Sequence, residues 1–275
     1  MTLTPVCPAL EGELDGPAWD GSGVLFCVPA QNEIRRWDPV GGGVAIVRRQ
    51  SVRTRGLALG PDGRLYGAQG RARRIVWYAD EGASYYVESA VDGRRRNDPQ
   101  HLVVDGRGRI WSTDRWTEES SGGPVGYPRL EHCSVLRSER SADGTWTLRR
   151  ITLDTVAPHG IALSEDERTL YVTDSGDASM APSLRAYPTG GDAPRTGSAI
   201  RSFAAADRPL GICVDPLGRI VVAVGGPQPR VETIGADGTV VAEAAVPGGP
   251  TACAFGGRDL YVTTAAGELL RGGIG

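Results

Sequence analysis

Only three histidines, His101, His132 and His159, occur in the 275-residue chain, and all 30 of its basic residues are arginines. Histidine, with an ordinary pKa of about 6.5, exchanges protons near neutrality. The absence of lysine excludes Schiff-base chemistry and a Ser–Lys pair. The five cysteines, Cys7, Cys27, Cys133, Cys213 and Cys253, are odd in number and form no CxxC pair. They are expected to be small buried hydrophobes in a reducing compartment. Few other groups here can exchange protons near neutrality, which makes His101 and His159 candidates, with Asp15 of "DGPAW" as a carboxylate able to assist them. His132, in "LEHCSVL", stands beside a long polar stretch from which it would reach a site as part of a lid.

A repeat sets the frame that must position these residues. A short apolar run, a turn with Asp or Gly and a second apolar run recur as "GPAWDGSGVLFCV", "GLALGPDGRLYGA", "HLVVDGRGRIWSTD", "GIALSEDERTLYVTD", "GICVDPLGRIVVAV" and "TACAFGGRDLYVTT". The starts lie roughly 40 to 60 residues apart, the spacing of propeller blades. Third strands such as "NEIRRWD" and fourth strands such as "TWTLRR" follow, and helix-period apolar stripes are absent. The expectation is an all-β, six-bladed β-propeller of four-stranded antiparallel blades, a single domain over residues 1–275. The last repeat stops after its third strand, so the N-terminal "TLTPVC" is expected to supply the fourth and close the ring. Thr117 to Glu131 forms a long polar insertion in the third unit, a length that suits a functional or a disordered loop.

In a propeller the openings of the innermost strands converge at one mouth. In order these are Asp15, Arg55, Gln100-His101, His159, Leu210 and Pro250-Thr251. The segments "GPAWD", "HGIALSEDERTLYVTDS", "GICVDPLGRIVVA" and "TACAFGGRDLYVTTA" together resemble the senescence-marker-protein, gluconolactonase and regucalcin family, over nearly the whole chain. The resemblance implies a six-bladed propeller and metal-dependent lactonase chemistry. It also implies a metal site built from Glu, Asn and Asp at three inner-strand openings, with an Asn-Asp pair at a fourth. Here Asp15 stands for the Glu, His159 for the Asn and Leu210 for the Asp. Gapless matching puts Gln100-His101 at the pair, while Asn97-Asp98 fits it only after a three-residue shift.

The ligands so implied are Asp15, His159 and Gln100. Exchanging oxygen donors for imidazole favours zinc or iron over calcium, and a site without metal is the alternative. The expected catalytic residues are His159, His101 and Asp15. Substrate contacts are expected from Arg95, Asn97, Gln100, Arg115, Trp116, His132 and Leu210, with Arg95 or Arg96 orienting a carboxylate or oxyanion. Glycine-rich stretches such as "GGPQPR" lack the strand–loop–helix context of a phosphate cradle.

Net charge is −3, with a pI near 5.7. No basic patch points to nucleic acid or an acidic membrane, so the expected partner is a small molecule. The N-terminal residues lack the charged and apolar regions of a signal peptide, and a cytoplasmic protein is expected. Three functions fit: a lactonase-like or ester-type hydrolase of a small polar metabolite, a lyase or isomerase using histidine or histidine-bound metal, and a non-catalytic ligand-binding propeller with a degenerate site.

Overall fold

The computed structural model describes residues 1–80, 82–87, 90–91, 93–116 and 128–273. They form six four-stranded antiparallel sheets, the blades of a β-propeller. The only helical element among them is the three-residue 3-10 turn Gly70–Ala72. Blade 1 consists of Asp15–Trp19, Val24–Val28, Glu33–Trp37 and Val44–Arg49; blade 2 of Gly56–Leu59, Leu65–Gln69, Arg74–Tyr78 and Ser84–Tyr86. Blade 3 is Asp98–Val104, Ile110–Arg115, Ser134–Arg140 and Trp146–Arg150, and blade 4 is Pro158–Leu163, Thr169–Asp174, Ser183–Pro188 and Ser198–Ser202. Blade 5 comprises Arg208–Val214, Ile220–Gly225, Arg230–Ile234 and Val240–Ala245. In blade 6, Pro250–Gly256, Asp259–Thr264 and Leu269–Gly273 are completed by Thr4–Pro5.

The blades cohere because each sheet has two apolar faces that only neighbouring blades can cover. The buried clusters accordingly straddle the seams. Phe26 and Trp37 of blade 1 pack with Tyr261 of blade 6, and Trp111 and Val135 of blade 3 pack with Ile161 and Tyr187 of blade 4. Burying one such side chain contributes about 1.5–3 kcal/mol. The first strand of every blade packs against the first strand of the next, and that of blade 6 against that of blade 1.

The N-terminal segment closes the ring as its sequence predicts. Thr4 and Pro5 pair with Arg271 and Leu270. Beyond that short strand, Val6 N–H donates to the Leu269 carbonyl at 3.0 Å, and Leu10 N–H to that of Gly267 at 2.8 Å. Val6, Cys7 and Leu10 also pack on the blade 6–blade 1 cluster. The polar insertion after Arg115 lies between the second and third strands of blade 3, and its residues 117–127 are outside the described residues.

Candidate active site at the propeller mouth

Five of the six inner strands carry an irregularity in the same place. The pairing register slips between Asp15 and Ala18, Pro99 and Leu102, Pro158 and Ile161, Pro209 and Ile212, and Pro250 and Ala252. A bulge bends its strand and re-aims a side chain. His101, His159 and Leu210 all lie inside these bulges. Threonines on the second strands anchor the bulged backbone of the following blade. Thr113 Oγ1 donates to the His159 carbonyl at 2.6 Å and Thr173 Oγ1 to the Leu210 carbonyl at 2.5 Å. Gly16, at φ 52°, makes room where blades 1 and 2 meet: a Cβ there would lie 1.9 Å from the Arg55 carbonyl oxygen.

This scaffold gathers Asp15, Arg55, His101 and His159. The His101 Nε2 and Asp15 Oδ1 atoms are 3.1 Å apart, joining blades 3 and 1. Asp15 Oδ1 also accepts the Gly16 N–H at 2.8 Å. Arg55 NH1 donates to Asp15 Oδ2 at 3.1 Å and to the Glu13 carboxylate at 3.2 Å. The His159 ring meets His101 edge-on, with centroids 4.9 Å apart. All three of Asp15, His101 and His159 are buried. Below His101 the channel is lined mainly by apolar residues, among them Leu57, Val103, Ile161, Ile212 and Phe255.

The electrostatics divide the two histidines. Burial alone would raise the Asp15 pKa; His101, through charge and hydrogen bond, and then Arg55 overcome it and hold the carboxyl well below its usual range. At His159 burial pushes the pKa well below the histidine norm, and the Arg115 charge pushes the same way. The Asp15 charge acts the other way but does not prevail. His159 is therefore a neutral imidazole, and its Nδ1 is buried without a hydrogen-bond partner. Gln100 resembles it: Nε2 donates to the Asp98 carbonyl at 3.2 Å, while Oε1 is buried and unpartnered.

The other expected residues separate into those at this cluster and those away from it. Of the two registers for the Asn-Asp pair, Gln100-His101 includes the residue that meets Asp15, His101. The Asn97 side chain holds the loop together: Oδ1 accepts the Leu130 N–H at 2.7 Å and Nδ2 donates to the His132 carbonyl at 3.4 Å. Arg96 is buried inside blade 3 on the hydroxyls of Ser112 and Ser138, at 2.6 and 2.7 Å. Arg95 is exposed on the rim of a separate surface cavity with Arg73, Arg74 and Tyr86. His132 is exposed. Trp116 packs near the guanidinium groups of Arg73 and Arg129, 5.7 and 5.8 Å from its ring centroid. Leu210 is half-buried at its bulge and brings no polar side-chain atom. Sequence reasoning noted Arg55 as a strand opening but gave it no role; Glu13 was missed. The signal was local, an acidic "ELD" facing the next inner-strand opening.

A resident dication fits this donor set poorly. Both Asp15 oxygens already accept hydrogen bonds, Leu210 offers no donor, and the Arg55 and Arg115 charges oppose a cation. Calcium takes six to eight oxygen ligands. Among the described residues no three His, Cys, Asp or Glu side chains gather in a metal-ligating arrangement. The unpartnered atoms of Gln100 and His159 ask instead for a polar ligand.

Comparison with known proteins agrees with this architecture. The model of the SMP-30/gluconolactonase/LRE-like region matches residues 14–266. The chain belongs to that family. A gluconolactonase of Zymomonas mobilis is 27% identical over 243 residues, covering 77% of this chain and 64% of that protein, just under two thirds of its length. A solved gluconolactonase from Xanthomonas campestris superposes with a TM-score of 0.84 at 25% identity, over 99% of this chain and 89% of that one. A calcium-binding regucalcin from Agrobacterium tumefaciens shares the fold, with a TM-score of 0.74 at 18% identity over 98% of this chain and 92% of that one.

Proposed function

We propose that the mouth of this propeller hydrolyses a lactone, or a closely related ester, of a small polar metabolite. The observation that carries the reading is the 3.1 Å contact between His101 Nε2 and Asp15 Oδ1. With Nε2 held by a carboxylate that His101 itself and then Arg55 keep ionised, the ring is fixed in orientation and Nδ1 is the nitrogen that exchanges protons. His101 takes a proton from water as the oxygen attacks the lactone carbonyl. The ring C–O bond then breaks, and the leaving alkoxide takes that proton back. Neutral His159 and Gln100 provide hydrogen-bonding groups for substrate hydroxyls. Membership of the lactonase family and the two gluconolactonase relatives support the same reaction class.

The test is steady-state hydrolysis of glucono-δ-lactone and a panel of aldonolactones, followed by alkali uptake in a pH-stat. The wild type is expected to exceed the spontaneous rate on at least one lactone. His101→Ala is expected to lower kcat by about 10²- to 10⁴-fold, the usual contribution of a general base. If no lactone in the panel is hydrolysed above background, or if His101→Ala matches the wild type, the reading is wrong.

A further inference from the structure

The base described above needs an electrophilic partner at the carbonyl oxygen. The basic side chains around the mouth differ sharply in how they are engaged. Arg55 is held by Glu13 and Asp15, and Arg96 by two serine hydroxyls. Arg73 Nε donates to the Arg96 carbonyl at 2.6 Å. Arg115 differs from all of these. It ends the second strand of blade 3 at the mouth, opposite Asp98 in register. Its Nε is buried with no hydrogen-bond partner, and no hydrogen bond or ion pair ties its guanidinium to another described residue. Its charge is felt at His159. In turn it feels Asp98, Arg55 and Asp15.

A half-buried guanidinium that makes no bond has lost hydration without replacing it. Such a group is paired when an anion arrives, and its planar fork matches a carboxylate in two parallel bonds. The unpartnered Gln100 Oε1 and His159 Nδ1, both buried, belong to the same mouth. We propose that Arg115 is the electrophile of this site: its guanidinium receives the oxyanion formed at the lactone carbonyl and then holds the product carboxylate. This rests on the lactone-hydrolase reading and deepens it, with a fixed side-chain cation in place of a metal ion.

The step balances without a co-reactant. Water adds to the carbonyl carbon, one of its protons passes to His101, and the carbonyl π electrons move to the oxygen facing Arg115. Collapse of the tetrahedral intermediate breaks the ring C–O bond, and the His101 proton goes to the departing oxygen. The product is an open-chain hydroxy acid, which loses its carboxyl proton to solvent and stays on Arg115 as a carboxylate. Product inhibition by hydroxy-acid anions follows directly.

Gluconate binding by calorimetry separates this proposal from the reaction itself. Chelator-dialysed wild type is expected to bind gluconate, Arg115→Gln to bind it about 10- to 100-fold more weakly, and Arg115→Lys to fall between them. On a hydrolysed lactone, chelator-dialysed wild type is expected to retain kcat, while Arg115→Gln loses about 10²- to 10³-fold in kcat, the cost of removing an oxyanion donor. Melting curves identify a variant that has failed to fold, in which case Arg115→Lys carries the comparison. Arg115-dependent gluconate binding without turnover of any lactone would uphold the anion receptor and reject the hydrolase. Equal gluconate affinity in wild type and Arg115→Gln, or activity lost on chelation and restored by a divalent ion, would overturn the proposal.

Discussion

Buried aspartates serve two purposes in this propeller. Asp105 and Asp215 sit in the hairpin turns of blades 3 and 5 and are satisfied within a few residues. Asp105 accepts the N–H groups of Arg107 and Arg109 at 3.0 and 2.9 Å, Arg109 Nε at 2.6 Å and Trp111 Nε1 at 2.9 Å. Asp215 repeats the pattern with Leu217 and Arg219. Asp15 is as deeply buried as Asp105, but its side-chain partners His101 and Arg55 lie 86 and 40 residues away. Around it the side chains of Gln100, His159 and Arg115 each leave a buried polar atom unpaired. The hairpin networks are local, as a structural role requires, and both carboxylates are fully engaged, although Arg219 of the Asp215 turn leaves one guanidinium nitrogen buried and unpaired. The mouth is assembled from several blades and left incomplete, as a ligand site requires.

The largest expected effect is a crossover between the two regions. His101→Ala should cost two to four orders of magnitude in kcat and less stability than Asp105→Ala, because Arg55 still pairs with the Asp15 carboxylate. Asp105→Ala should do the reverse: it strands the Arg109 and Trp111 donors and lowers stability by about 3 kcal/mol, with kcat of the folded fraction preserved. Chemical denaturation and kinetics on the same preparations read both. If Asp105→Ala loses activity while still folded, the division between structural and functional carboxylates fails. Next in size is ring closure. Deleting residues 1–8 removes the Thr4–Pro5 strand and its neighbours, and a destabilisation of about 2 kcal/mol across the whole cooperative transition is expected. A truncated protein melting at the wild-type temperature would show that this strand does not secure the ring.

The smallest effect is in pH. Folded His159 stays neutral where an unfolded histidine would protonate, so below about pH 6.5 the unfolded chain binds the extra proton. Stability from this group is present above that pH and is lost as pH falls, by up to about 1.4 kcal/mol per unit. Asp15, with its pKa depressed, contributes stability that is fully present above about pH 3.8 and is lost only as pH falls below it. His159→Asn should therefore flatten the stability profile between pH 5 and 7 and leave the acid limb intact. An unchanged slope in that range would mean that His159 titrates normally in the folded protein.

The contrast between the regions also explains what the sequence made legible. The hairpin turns, the blade repeat and the missing outer strand are all encoded within a few residues or a single repeat, and the observed fold follows them. The inner-strand openings were legible too, because the repeat marks them. The bulges that turn His101 and His159 into the mouth were hidden, since the alternation of the strand continues across them in sequence. The fate of polar residues near the mouth was equally hidden. Asn97 and Arg96 look as suited to substrate as Gln100 and Arg115 do, and only tertiary contacts show that the first two are occupied inside blade 3. The Asp15–Arg55–His101 network joins three blades, and no local pattern reports it.

A double-mutant cycle on kcat with Asp15→Asn and His101→Ala probes this network most directly. Groups that act as one unit are non-additive, so the account predicts that Asp15→Asn lowers kcat by at least tenfold and that the double variant is no slower than His101→Ala alone. An Asp15→Asn variant with wild-type kcat, or losses that multiply in the double variant, would contradict the assignment of Asp15 and His101 to a single proton-transfer device.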